Sequence, residues 1–87
     1  MDIKELRSRI DGIDEELVAL FLRRMAVSAQ IGAYKKERDL PIFVPEREQE
    51  KLADVAEKAG PEMAAYVKRL YDTIFTLSRD YQNEVLE

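Results

Sequence analysis

Three observations predict an all-α fold of three helices. Apolar residues recur at alternating intervals of three and four over most of the chain, which keeps them on one face of a 3.6-residue helix. No stretch shows the two-residue alternation of a strand. Only 3 Gly and 3 Pro occur among 87 residues, and the prolines, at positions 41, 45 and 61, divide the chain into three parts. At this length, residues 1–87 make one small domain.

The first helix opens at Asp2, which with Glu5 reads as a capping box. Its apolar face runs Ile3, Leu6, Ile10, Ile13, Leu17 and Leu20, then Val27, Ile31 and Tyr34. With no proline before Pro41, the helix spans about residues 3 to 37 and is roughly 52 Å long. A compact chain of this size has a radius of gyration of only about 12 Å, so the rest of the chain is too small to wrap such a helix. A second copy is the simplest cover, and a homodimer is expected. Residues 39–45 form the connecting loop, bounded by Pro41 and Pro45. Pro45 suits the first position of the second helix, which ends at Ala59 with Gly60 as its stop. Pro61 opens a third helix with the seam Met63, Val67, Leu70, Ile74, Leu77, Tyr81 and Val85.

Composition excludes several classes of chemistry. The chain has no Cys, hence no disulfide, thiolate metal site or Cys nucleophile, and no His, the commonest general base and metal ligand. No metal site is expected. The balance of 14 basic against 18 acidic residues argues against nucleic acid or a membrane surface as partner. No run of apolar residues approaches a membrane span, and Met1-Asp2-Ile3-Lys4-Glu5 lacks a signal-peptide pattern, so a cytoplasmic protein is expected.

Function is sought where the pattern breaks. Between Leu20 and Val27 the spacing calls for an apolar residue, and Arg24 stands there. A snorkelling side chain is one reading; a guanidinium facing an anion in a cavity is the other. Lys35, eleven residues on, returns to within about 20° of the same face, roughly 16 Å further along. Alone it is an ordinary last-turn cation; together with Arg24 it could close on one small molecule. Arg7 lies about 25 Å from Arg24 along the axis and reaches such a site only across an antiparallel dimer. In the second helix Glu48 interrupts the apolar row Val44, Leu52, Val55 and Ala59. It is either a first-turn acid favoured by the helix dipole or a carboxylate with a ligand. The third helix carries a stripe of Tyr71, Phe75, Ser78 and Gln82, while Arg79 and Asp80 read as surface charges. Three cations, one carboxylate and two neutral donors suit a small dianion. They also suit a reaction driven by orientation and electrostatics, without covalent attack.

Leu6-Arg7, Ile10-Asp11, Ile13-Asp14, the segment 20–26 around Arg23-Arg24, Ile31-Gly32, Lys35, Pro41-Ile42, Arg47-Glu48, and Ser78 with Gln82 form one ordered pattern over nearly the whole chain. In that pattern the sequence resembles the all-helical chorismate mutases, the small intertwined homodimeric class. The resemblance implies an isomerase that rearranges chorismate to prephenate, on the shikimate-derived route to Phe and Tyr, without a cofactor. It implies that Arg7 comes from the partner chain to one substrate carboxylate and that Arg24 binds the other. Lys35 and Gln82 then contact the ether oxygen, Glu48 holds the ring hydroxyl, and Arg47 and Ser78 make secondary substrate contacts. The mechanism implied is selection of a chair-like conformer, with the polarised transition state favoured over the ground state.

One position departs from the family: Val44 stands where an acid is usual, four residues before Glu48. An isochorismate pyruvate-lyase on the same fold also lacks that acid, but it resembles an apolar replacement at the Glu48 position, which this chain does not have. A non-catalytic helical module, such as a regulatory partner of another shikimate-pathway enzyme, would need no Arg24 in its seam and no Glu48 or Gln82 on its inner rows. The mutase is the preferred reading.

Overall fold

The computed structural model describes residues 1–85; the last two residues of the expected domain, 86 and 87, lie outside the described part. Three helices follow in order: α1 (Ile3–Glu37), α2 (Pro45–Ala59) and α3 (Ala64–Val85). The expected all-α class and the expected length of the first helix are both observed.

Each boundary has a local cause. At the start of α1 the Asp2 carboxylate accepts a hydrogen bond from the Glu5 backbone N–H at 2.9 Å, satisfying one of the free amides of the first turn. At the other end Lys35 and Lys36 occupy the last turn, where cations complement the dipole. Asp39 adopts a left-handed conformation, φ 54°, and the Leu40 N–H returns to the Lys35 carbonyl at 2.9 Å. Val44 precedes α2 with extended backbone and no side-chain cap, so Pro45, which has no N–H to satisfy, takes the first turn. Gly60, with φ 85°, ends α2 in a conformation few side chains tolerate. Beyond it the structure differs slightly from expectation: Pro61 opens a turn over 61–63, and regular helix begins at Ala64. The Gly60 carbonyl accepts from both the Met63 N–H (3.2 Å) and the Ala64 N–H (2.9 Å), which makes this a tightened first turn.

Packing is centred on α3, which contacts both other helices, whereas α1 and α2 do not pack on each other. The row Val44, Glu48, Leu52, Val55 and Ala59 of α2 is half-buried, as its spacing predicted. In contrast, residues 1–20 are exposed throughout, and the apolar face of α1 from Ile3 to Tyr34 remains 41% to 59% exposed. The radius of gyration is 16.0 Å, well above the value of about 12 Å for a compact chain. The molecule measures 54 × 27 × 14 Å along its principal axes. The three helices thus enclose little interior, and Phe75 is the one buried large apolar side chain among the described residues. No helix among those residues is long and apolar enough to cross a membrane.

Candidate active site

Where α1 and α2 stand apart, α3 forms the floor of a cleft of about 470 Å³. That is within the range of small-molecule sites. Six of the seven residues singled out from sequence line it: Arg24 and Lys35 from α1, Arg47 and Glu48 from α2, and Ser78 and Gln82 from α3. The seventh, Arg7, is exposed on the projecting half of α1, about 25 Å along the axis from Arg24.

Arg24 is half-buried, so the seam position is a cleft position. Its Nη1 donates to the Ser78 hydroxyl at 2.9 Å, and its guanidinium lies 5.8 Å from the Tyr71 ring centre and 5.9 Å from that of Phe75. One turn on, the Gln82 Nε2 donates to the Ser28 hydroxyl at 2.7 Å. Arg24 with Ser78 and Ser28 with Gln82 are matched steps of four, which requires α1 and α3 to run in the same direction here. Ser28, Ser78 and Gln82 are all buried, although Ser and Gln on a helix usually face water. Gln82 Oε1 is buried without a hydrogen-bond partner among the described residues, a state that costs about 1–3 kcal/mol if it persists.

At the far end Lys35 Nζ donates to the Ile42 carbonyl at 3.0 Å. This bond ties the connecting loop over the end of α1 and brings Ile42 and Val44 into the wall. Arg47 stands at the rim, paired with Glu50 at 3.6 Å.

Three lining residues were not singled out from sequence: Ser28, Lys51 and Arg79. Ser28 was legible, four residues after Arg24 and hence on its face. Lys51, three after Glu48, was legible in the same way. Its ammonium pairs with Asp54 at 3.4 Å; the Asp54 carboxyl is held below its ordinary range chiefly by Lys58 and secondarily by Lys51. Arg79 corrects the sequence reading, which assigned it to the surface. Its Nη1 forms an ion pair with Glu48 Oε2, and its guanidinium lies 4.7 Å from the Phe43 ring centre. The long arginine stem carries the charge across from a neighbouring face of α3, which residue spacing alone does not register. Asp80 is exposed, as expected.

Among the described residues, five cations and a single carboxylate, Glu48, thus line the cleft. No three His, Cys, Asp or Glu side chains converge as a metal site among the described residues. The serine hydroxyls engage Gln82 and Arg24, an arrangement that offers hydrogen bonds and positive charge to a ligand and prepares no activated nucleophile.

Fold and cleft together define a small helical protein with a strongly cationic site, walled in part by apolar side chains, for a compact anion. Residues 6–83 match the family described as chorismate mutase type II, and the chain belongs to that family. It is 46% identical over 61 residues to the T-protein of Haemophilus influenzae, covering 67% of this chain and 16% of that protein. Over 49 residues it is 49% identical to the bifunctional chorismate mutase/prephenate dehydratase of Aquifex aeolicus, covering 56% of this chain and 14% of the relative. The 4-amino-4-deoxychorismate mutase of Streptomyces pristinaespiralis is 33% identical over 73 residues, 82% of this chain and 57% of that protein. The chain therefore spans a minor part of the first two relatives and just over half of the third.

Proposed function

We propose that this chain, as a single domain over residues 1–87, catalyses the rearrangement of chorismate to prephenate. The observation that carries the proposal is the convergence of Arg24, Lys35, Glu48 and Gln82, from three helices, on one cleft. Chorismate is a dianion, and it must adopt a compact chair-like conformer for the ether C–O bond to break as the new C–C bond forms. In this reading Arg24 fixes one carboxylate, with Ser78 steadying the guanidinium, and Arg47 adds charge at the rim. Lys35 and Gln82 face the ether oxygen, where negative charge grows in the transition state, and so act on the rate more than on binding. Turning the Gln82 amide lets Ser28 donate to the unpaired Oε1 and frees Nε2 for that oxygen. Glu48 accepts the ring hydroxyl.

The second carboxylate is assigned to Arg7 of a second copy. The exposed apolar face of α1 and the elongated shape support a homodimer, because an uncovered face of this length is costly in water. A cytoplasmic location is part of the same proposal. The direct test is prephenate formation from chorismate by purified protein, with sedimentation equilibrium expected to give about twice 10.1 kDa. Absence of turnover would reject the reading. A parallel reaction with isochorismate tests the lyase, the alternative that Val44 in the cleft wall favours.

A further inference from the structure

We propose that Arg79 makes the cleft selective for a substrate with a ring hydroxyl over one with a ring amino group. The inference rests on the mutase reading, in which Glu48 receives the ring substituent. Among the described residues Glu48 is the sole carboxylate lining the cleft, and Arg79 is paired with it. The pair is sheltered, with the two side chains 29% and 23% exposed. Arg79 is held there from three sides: by Glu48, by the Phe43 ring, and by a 3.4 Å hydrogen bond from its Nη2 to the Thr76 hydroxyl. Lys51 adds a further cation to the same helix face. Val44, one turn before Glu48, contributes no second negative charge.

The charge of Glu48 is therefore already answered. A hydroxyl needs only an acceptor lone pair, and the paired carboxylate retains lone pairs to offer. An ammonium needs net negative charge; here it would meet Glu48 together with a fixed guanidinium a few ångströms away. Like charges in contact at a sheltered site repel strongly, so the amino substrate is rejected by the residue next to its acceptor rather than by the acceptor itself.

The experiment compares kcat/KM for chorismate and for its analogue with the ring hydroxyl replaced by an amino group, in wild type, Arg79→Gln, Arg79→Lys and Val44→Asp. Arg79→Gln should raise the amino-to-hydroxyl ratio by about tenfold or more, a conservative share of the repulsion between two unit charges near a protein surface. Arg79→Lys keeps the charge and should leave the ratio close to wild type. Val44→Asp adds a carboxylate without removing Arg79 and should move the ratio in the same direction as Arg79→Gln, which keeps the test open should that variant fold poorly. A purely structural role for Arg79 lowers both substrates alike, and an unchanged ratio in Arg79→Gln and Val44→Asp overturns the proposal. If wild type turns over neither substrate, the mutase reading falls and this selectivity with it; turnover by wild type with an unmoved ratio rejects the selectivity alone.

Discussion

Replacing Arg24 by Leu separates the two readings its position allows. In the structure Arg24 donates one 2.9 Å hydrogen bond to a neutral hydroxyl, and its ring contacts, at 5.8 and 5.9 Å, lie at the outer limit of cation–π attraction. The hydrogen bond contributes about 1.5–3 kcal/mol and each ring about 0.5–1 kcal/mol. The half-burial of the charge opposes these gains, and Leu would continue the apolar seam of α1. The net effect on stability is therefore expected to stay within about 2 kcal/mol in either direction. Catalysis should respond differently. A guanidinium that meets a substrate carboxylate in a desolvated cleft is worth about 2–5 kcal/mol, which corresponds to a loss in kcat/KM of about 30-fold to a few thousand-fold. Steady-state kinetics and thermal unfolding on the same samples, at one protein concentration because the stability of the proposed dimer would follow mass action, give both numbers. A higher Tm with kcat/KM within about threefold of wild type would mean that Arg24 is only a structural side chain, and the site assignment would be abandoned.

Lys35→Ala should lower kcat much more than it changes KM, since the ether oxygen acquires charge only in the transition state; a rise in KM alone would place Lys35 in substrate capture. Mixing inactive Arg7→Ala chains with inactive Lys35→Ala chains should restore part of the activity, because in the proposed dimer a mixed pair carries both lesions in one site and neither in the other. No recovery after verified subunit exchange would remove the shared site. Asp2→Ala deletes the cap on Glu5 and should cost about 0.5–2 kcal/mol, seen as a lower Tm. An unchanged Tm would show that this end of α1 contributes nothing to the cooperative unit.

The helices were legible because their evidence is local. Asp2, Pro45 and Gly60 act within a few residues of themselves, and apolar spacing reports a face directly. The cleft was legible for a different reason: Arg24 and Glu48 violate the apolar spacing of their own helices, and a charge on an inner row requires a partner. Arg79 was not legible, because it violates nothing. It sits at an ordinary polar position of α3, and its role depends on where α2 brings Glu48. The turn at 61–63 was missed because Pro61 is equally at home in a turn and at a helix start. Arg7 is the reverse case, a residue whose suggested role depends on a second chain, so one chain alone leaves it far from the cleft.

The paired steps of four between α1 and α3 have a consequence for alignment. An apolar seam tolerates sliding, since one aliphatic contact replaces another at small cost. Arg24 on Ser78 and Ser28 on Gln82 do not. Shifting α3 by one helical turn would set Arg24 against Ile74 and Ser28 against Ser78, leaving the Gln82 amide buried with no donor or acceptor opposite it. Polar pairs of this kind index two helices as a key indexes a lock barrel. The side chains assigned to the substrate are thus also the ones that measure the helices against each other, so a chain that folds in the wrong register loses its cleft and its best-buried hydrogen bonds in a single event.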